Sequence, residues 1–303
     1  MREYDIGAVL PTEVAKSFLR LSFAARVTLV NSLFGPKRLR SRQLAGIWLS
    51  LLEWAEQTGA SEEERHTIAR ELLRLAPQGE TAPVALSRLI AGPDGPSVRL
   101  IQMIISCRKR LRQALDLRNA IDGVLGPAVI ILGDSTLKYA NMSEGLITVP
   151  SPDNYESLTT KVCEALVAIR HRYGAAAVLK IDDDCVIQGP GDALNFFESV
   201  AGAEYVGDPA GSMHLDRTWH IGKCEAASPP IYGKRFRAQW ANGPLYYLGP
   251  HAVDCLVTAY LSYPGEFENT WGIEDKCIGD TLLEHGIDLK SASLWKNAGL
   301  VLE

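Results

Sequence analysis

Two runs of carboxylates carry most of the chemistry this chain can offer. Asp182-Asp183-Asp184 follows directly on the apolar run Ala176-Ala177-Val178-Leu179-Lys180-Ile181, and Glu274-Asp275 follows Asn269-Thr270-Trp271-Gly272-Ile273. Three adjacent aspartates repel one another, so stability alone does not account for them. Oxygen-only ligands on a short turn suit a hard cation, Mg²⁺ or Mn²⁺, and such a cation can hold a diphosphate. A carboxylate on the opposite side of the site, Asp275 or Glu274, suits a base that takes the proton of a hydroxyl. Together the two runs fit group transfer from a diphosphate leaving group to a hydroxyl, with the metal stabilising charge on the leaving oxygens. Each run also has a plainer account. Aspartates are common in turns and helix caps, and Glu274 and Asp275 would favour the positive end of a helix.

The elements that must position these groups read as α/β. Residues 178–181 form a continuous apolar strand of the kind buried in parallel sheets, and it ends where open α/β sheets bind ligands. Strands are expected at 98–105 and 129–132, a basic amphipathic helix at 107–121, and a further helix at 158–173. Strands alternating with helices imply a mostly parallel sheet flanked by helices. Residues 205–207 and 243–248 are expected strands, 208–238 loops over the site, and 276–285 a helix stopped by Gly286. The loops carry His214, His220 and Lys234, which can meet a diphosphate or lie at the surface. Trp240 and Trp271 can stack on a sugar ring or pack internally.

Ahead of this region, residues 1–91 read as an all-α accessory domain. Apolar positions at helical spacing (Leu44, Ile47, Trp48, Leu51, Leu52, Ala55) and a capping box at Ser61-Glu62-Glu63-Glu64 support that reading. Ala91-Gly92-Pro93-Asp94-Gly95-Pro96 is a run of helix breakers, so the second domain is expected to span 97–303. The broad apolar helix faces imply packing on the second domain or on another copy of the chain, as a homo-oligomer. A basic stretch at 33–42 beside Phe34 fits either a solvated loop or peripheral contact with an anionic membrane. The net charge of −5 argues against a nucleic-acid partner. No apolar run approaches the ~18 residues of a membrane span, and the opening Met1-Arg2-Glu3-Tyr4-Asp5 has no signal-peptide pattern, so a cytoplasmic protein, at most peripheral to the membrane, is expected. The six cysteines are scattered without a C-x-x-C pair and read as free thiols, with Cys185 a packed small hydrophobe.

In their order, four stretches resemble the β-1,3-glycosyltransferases typified by the β-1,3-galactosyltransferases and Fringe-type enzymes, which have the GT-A fold. Val129-Ile130-Ile131-Leu132-Gly133 resembles the family's apolar strand ending in Leu-Gly. Asp153-Asn154-Tyr155-Glu156-Ser157-Leu158-Thr159-Thr160-Lys161 is close to D-x-Y-x-N-L-T-x-K, with Ser157 in place of Asn. Val178 to Asp184 resembles the strand and D-x-D motif. Trp271-Gly272-Ile273-Glu274-Asp275-Lys276-Cys277-Ile278-Gly279, closing on Leu282-Leu283-Glu284-His285-Gly286-Ile287, resembles the E-D-V-x-x-G helix and its terminal L-G-I. The resemblance covers about residues 97–290 and implies a GT-A-like, Rossmann-type domain.

It also implies a function: a metal-dependent, inverting hexosyltransferase of polysaccharide biosynthesis, moving a hexose or N-acetylhexosamine from a UDP-sugar to a glycan or lipid-linked glycan acceptor in β-1,3 linkage. The implied metal ligands are Asp184 and Asp182. Asp182 also contacts the nucleotide, with Asp183 supporting it. Asp275 is the implied base, and Glu274 positions the acceptor or a loop. The family's S-G-G-G-Y donor segment appears as Asn242-Gly243-Pro244-Leu245-Tyr246, keeping Gly243 and Tyr246, and R-x-A-I-R-x-T-W appears only as Arg112-Gln113-Ala114-Leu115-Asp116. Two other readings of the acidic runs are a metal-dependent phosphotransferase or phosphodiesterase, and a catalytically silent nucleotide-sugar-binding module.

Overall fold

The computed structural model describes residues 98–189, 191–210, 239–268, 270 and 273–302, together with 55, 61, 65 and 68–70. The chain divides into two compact units, Met1–Ala91 and Gly92–Glu303. In the first, Ala55, Ile68 and Ala69 are buried and helical. The rest of the expected helical domain, including the basic stretch at 33–42, lies outside the described residues.

The second unit is α/β. Its main sheet has eight strands: β1 (Leu100–Ile105), β2 (Ala128–Gly133), β3 (Asn141–Ser143), β4 (Leu146–Val149), β5 (Ala177–Asp182), β7 (Tyr205–Pro209), β8 (Ala241–Leu248) and β9 (Lys290–Ser291). They lie in the order β3-β4-β2-β1-β5-β8-β7-β9. Four of the seven pairings are parallel, including the central β4-β2-β1-β5 block. The other three are antiparallel, and two of these bring in β8, the strand beside β5. A separate ribbon pairs β6 (Cys185–Ile187) with β10 (Leu300–Leu302).

Helices cover both faces, which is why β1 and β2 are buried along their whole length and read as unbroken apolar runs. Gln102 is the polar exception in β1. Its amide nitrogen donates to the Ile121 and Gly126 carbonyls at 2.9 and 2.7 Å, so its burial is compensated. On one face α1 (Leu111–Ile121) turns Ala114, Leu117 and Ile121 inward, at helical spacing, onto Ile104, Ile130, Leu179 and Ile181. Two shorter helices, α3 (Ala193–Val200) and α7 (Trp295–Ala298), complete that side. Toward the other face lie α2 (Leu158–Tyr173), α4 (Pro250–Ser262) and α6 (Glu274–Glu284), packed on one another, with the short α5 (Pro264–Glu268) against α2 and α4.

The expected basic helix opens instead as a 3-10 turn, Arg108–Arg110, before α1 begins. The helices α3, α4 and α5, the β3–β4 hairpin and the β6–β10 ribbon were not expected from the sequence.

Chain direction matters for the site. From β1 the chain passes to β2 on one side, and β5 later docks on the other side of β1. The carboxyl ends of β1 and β5 therefore open the crevice that a reversal of strand order creates. Their register aligns Ile105 with Asp182.

Candidate active site

The three aspartates at this crevice have three different environments. Asp183 is buried, and its carboxylate is held by Ser106 Oγ at 2.6 Å and by the Arg110 guanidinium at 2.9 Å. Its backbone N–H donates to the Ile105 carbonyl at 3.2 Å, so Asp183 knits the end of β5 to the end of β1. Burial pushes its carboxyl up, against the pull of Ser106 and Arg110. Asp182 turns the other way and accepts from Lys180 Nζ at 2.5 Å. Asp184 is 41% exposed, with Arg110 3.9 Å from Oδ2, yet its Oδ1 is buried with no hydrogen-bond partner.

Lys180 is fully buried in the middle of β5. Its neighbours Leu179 and Ile181 point into the core under α1, so alternation sends Lys180 to the opposite face. There its ammonium meets Asp182, the Gly243 carbonyl at 2.6 Å and Glu274 Oε2 at 3.8 Å, and lies 5.5 Å from the centre of the Tyr246 ring. Burial alone would lower its pKa; Asp182 and Glu274, with Asp275 adding less, more than offset that and hold it above the ordinary lysine value. Because β8 runs antiparallel to β5, its first residues, not its last, reach the carboxyl end of β5. That placement brings Gly243 beside Lys180.

The first turn of α6 closes the far side. Glu274 is 2% exposed and accepts a hydrogen bond from the Tyr246 hydroxyl. Burial pushes its carboxyl up to about 7, with Lys180 opposing the rise. Asp275 lies against Gly243, where an added Cβ would come 3.4 Å from Oδ2. Its Oδ1 accepts its neighbour Lys276's N–H at 2.8 Å, and the Trp240 indole N–H donates to the same carboxylate. Burial raises Asp275 as well, against those hydrogen bonds and Lys180. Gly279, one turn on, lets α6 approach Trp240: a Cβ there would stand 2.7 Å from the Trp240 Cβ. The glycine of the E-D-V-x-x-G pattern thus has a packing reason here: it lets α6 close on Trp240, which hydrogen-bonds Asp275.

The Asp153…Lys161 segment is a clamp behind the crevice. Asp153 accepts from the Gly133 and Arg108 backbone N–H groups at 2.8 and 2.7 Å, and from Lys161 Nζ at 2.7 Å. Lys161 also donates to the Ser106 carbonyl at 3.0 Å. The ends of β1 and β2 are thereby tied to the start of α2. Gly133 has to be small, since a Cβ would fall 2.6 Å from the Ser151 carbonyl oxygen.

Asp182, Asp183, Asp184, Gly243, Tyr246, Glu274 and Asp275, the metal, donor and base residues implied by the sequence, gather around this crevice in differing roles. Asp184 and Asp275 are partly exposed, whereas Asp183, Tyr246 and Glu274 are buried and spend polar atoms on protein partners. Asp182 and Gly243 are bound to Lys180, which sequence reasoning passed over. A signal existed, since a lysine inside an apolar strand run must find acceptors when it is buried. Cys185 is buried, and burial pushes its thiol up to about 12, in keeping with a packed thiol. His214, His220, Lys234 and Trp271 lie outside the described residues.

Asp184 can take a hard cation, because Oδ1 is a buried carboxylate oxygen with no hydrogen-bond donor. Among the described residues no group of three or more His, Cys, Asp and Glu side chains is arranged around a metal position. Mg²⁺ commonly takes one or two carboxylates and fills its remaining positions with water and substrate phosphates. Beside the triplet an open groove of about 600 Å³ runs between α1 and β6, lined by Lys109, Arg110 and Arg112 with Val186 and Ile187. No helix among the described residues is long and apolar enough to cross a membrane. Comparison with protein-family models and with curated proteins gave no match.

Proposed function

We propose that the unit Gly92–Glu303 is a GT-A-like, metal-dependent inverting glycosyltransferase. It transfers a hexose or N-acetylhexosamine from a UDP-sugar to a hydroxyl of a glycan or lipid-linked glycan, in β-1,3 linkage. The observation that carries the reading is two carboxylates on elements that both meet β8: Asp184 just past the end of β5, and Asp275 in the first turn of α6 against Gly243. Asp184 offers a buried oxygen without a donor just past the carboxyl end of β5, and Asp275, a half-buried residue, offers its carboxylate at the start of α6.

In this reading Asp184, with the oxygen of Asp182 not bonded to Lys180, would hold Mn²⁺ or Mg²⁺. When bound, the cation neutralises the diphosphate and stabilises charge on the leaving oxygen. The basic groove at Lys109, Arg110 and Arg112 suits the anionic nucleotide. Asp275 accepts the acceptor's hydroxyl proton as that oxygen bonds to the anomeric carbon, and the bond from that carbon to the UDP oxygen breaks with its electron pair leaving on UDP. Burial that raises Asp275 makes it a better proton acceptor than an ordinary surface aspartate. Trp240 orients its carboxylate. Asp183 and the Asp153–Lys161 clamp keep the crevice rigid.

The test is a screen of UDP-sugars with Mn²⁺ for slow hydrolysis, because donor cleavage requires no knowledge of the acceptor. Release of UDP from one donor, abolished by EDTA, supports the proposal. Absence of cleavage across the common UDP-hexoses and UDP-N-acetylhexosamines counts against it.

A further inference from the structure

Lys180 reaches both halves of the candidate site from a position where substrate cannot touch it. It is fully buried, so it is not a group that meets the donor or acceptor. Burying an ammonium costs several kcal/mol unless its partners compensate, and an apolar side chain would fill the strand without that cost. Its partners come from three separate elements: Asp182 from β5, the Gly243 carbonyl from β8, and Glu274 from the first turn of α6. Gly243 in turn lies against Asp275. One ammonium therefore links the strand that ends two residues before Asp184 to the strand and helix that flank the base.

We infer that Lys180 is a positioning residue that fixes the Asp182–Asp184 side of the site against the Gly243, Glu274 and Asp275 side, and so sets the distance between donor and base. The inference deepens the glycosyl-transfer reading and rests on it. Asp184, which is to hold the donor diphosphate, is not bonded to Lys180. Asp182 is bonded to it, so loss of the ammonium should weaken donor binding, but it should also lower transfer at saturating Mn²⁺ and UDP-sugar, because the Gly243 and Glu274 side is released as well.

The experiment uses the full chain. Each variant is first checked by circular dichroism and thermal melting, then assayed well below its own midpoint. Lys180→Met should show kcat per folded molecule, at saturating Mn²⁺ and UDP-sugar, reduced about 10²-fold, the scale expected when reacting groups are misplaced by about 1 Å, beside any rise in KM from the loosened Asp182. Lys180→Ala should regain transfer with methylammonium but not with tetramethylammonium at equal concentration, since only the former can donate hydrogen bonds to Asp182 and Gly243. If Lys180→Met fails to fold, Lys180→Met/Glu274→Gln removes the orphaned carboxylate, and the same comparison is made against Glu274→Gln alone. Wild-type kcat in the folded variants, an effect confined to KM, or equal rescue by both amines would overturn the inference while leaving the transferase reading intact. A wild-type chain that cleaves no UDP-sugar would overturn that reading, and the inference with it.

Discussion

Glu274→Gln should make the protein's stability less sensitive to pH, in a direction set by burial. Glu274 is 2% exposed, and burial lifts its carboxyl from an ordinary 4.5 to about 7; Lys180 opposes the rise and Asp275 adds to it. Between these two values the folded chain keeps a proton that the unfolded chain has released. Stability from this group therefore falls as pH rises through the window and is fully lost above the folded value. A gap of that size corresponds to about 3 kcal/mol. Glutamine does not titrate and still offers Tyr246 an acceptor oxygen. Relative to wild type, the variant should thus gain about 3 kcal/mol between about pH 4 and about pH 8. Urea unfolding of both proteins across that range, with the slopes compared to exclude a change in the unfolded state, measures it. Parallel stability curves for the two proteins would refute the assignment of a raised, buried carboxyl at Glu274.

Two further outcomes follow from the geometry. Asp275→Asn keeps the size of the side chain but cannot take a proton, so UDP-sugar binding should stay near wild type while transfer falls by ~10²–10⁴-fold; single-turnover kinetics beside calorimetry separate the two. Gly279→Ala drives a Cβ to 2.7 Å from the Trp240 Cβ. It should destabilise the domain by about 1–3 kcal/mol, seen in urea unfolding, and should lower transfer because Trp240 holds Asp275.

What the sequence makes legible here is local, and what it hides is long-range. Helix α2 is plain from its apolar spacing, and its structural limits coincide with the expected 158–173. The β5 strand is equally plain, because the apolar run marks the strand and the aspartates mark its end. The different duties of those aspartates are hidden: Asp183 depends on Ser106 and Arg110, more than seventy residues earlier in the chain. Lys180 is hidden for the same reason, since its acceptor at Gly243 arrives through the antiparallel docking of β8. Helix α4 was missed although Pro250 at its first position marks a helix start. The β3–β4 hairpin was missed although Glu144-Gly145 is a two-residue turn with glycine at positive φ.

The most direct test of the account is UDP binding at Asp184, measured by calorimetry with Mn²⁺ and with EDTA. Wild type should bind UDP when the metal is present and lose that binding when it is chelated. Asp184→Ala should fold, because the side chain is bonded to no structural partner closer than Arg110 at 3.9 Å, and should bind UDP no better with Mn²⁺ than without. Equal, metal-dependent UDP affinity in wild type and Asp184→Ala would contradict the account.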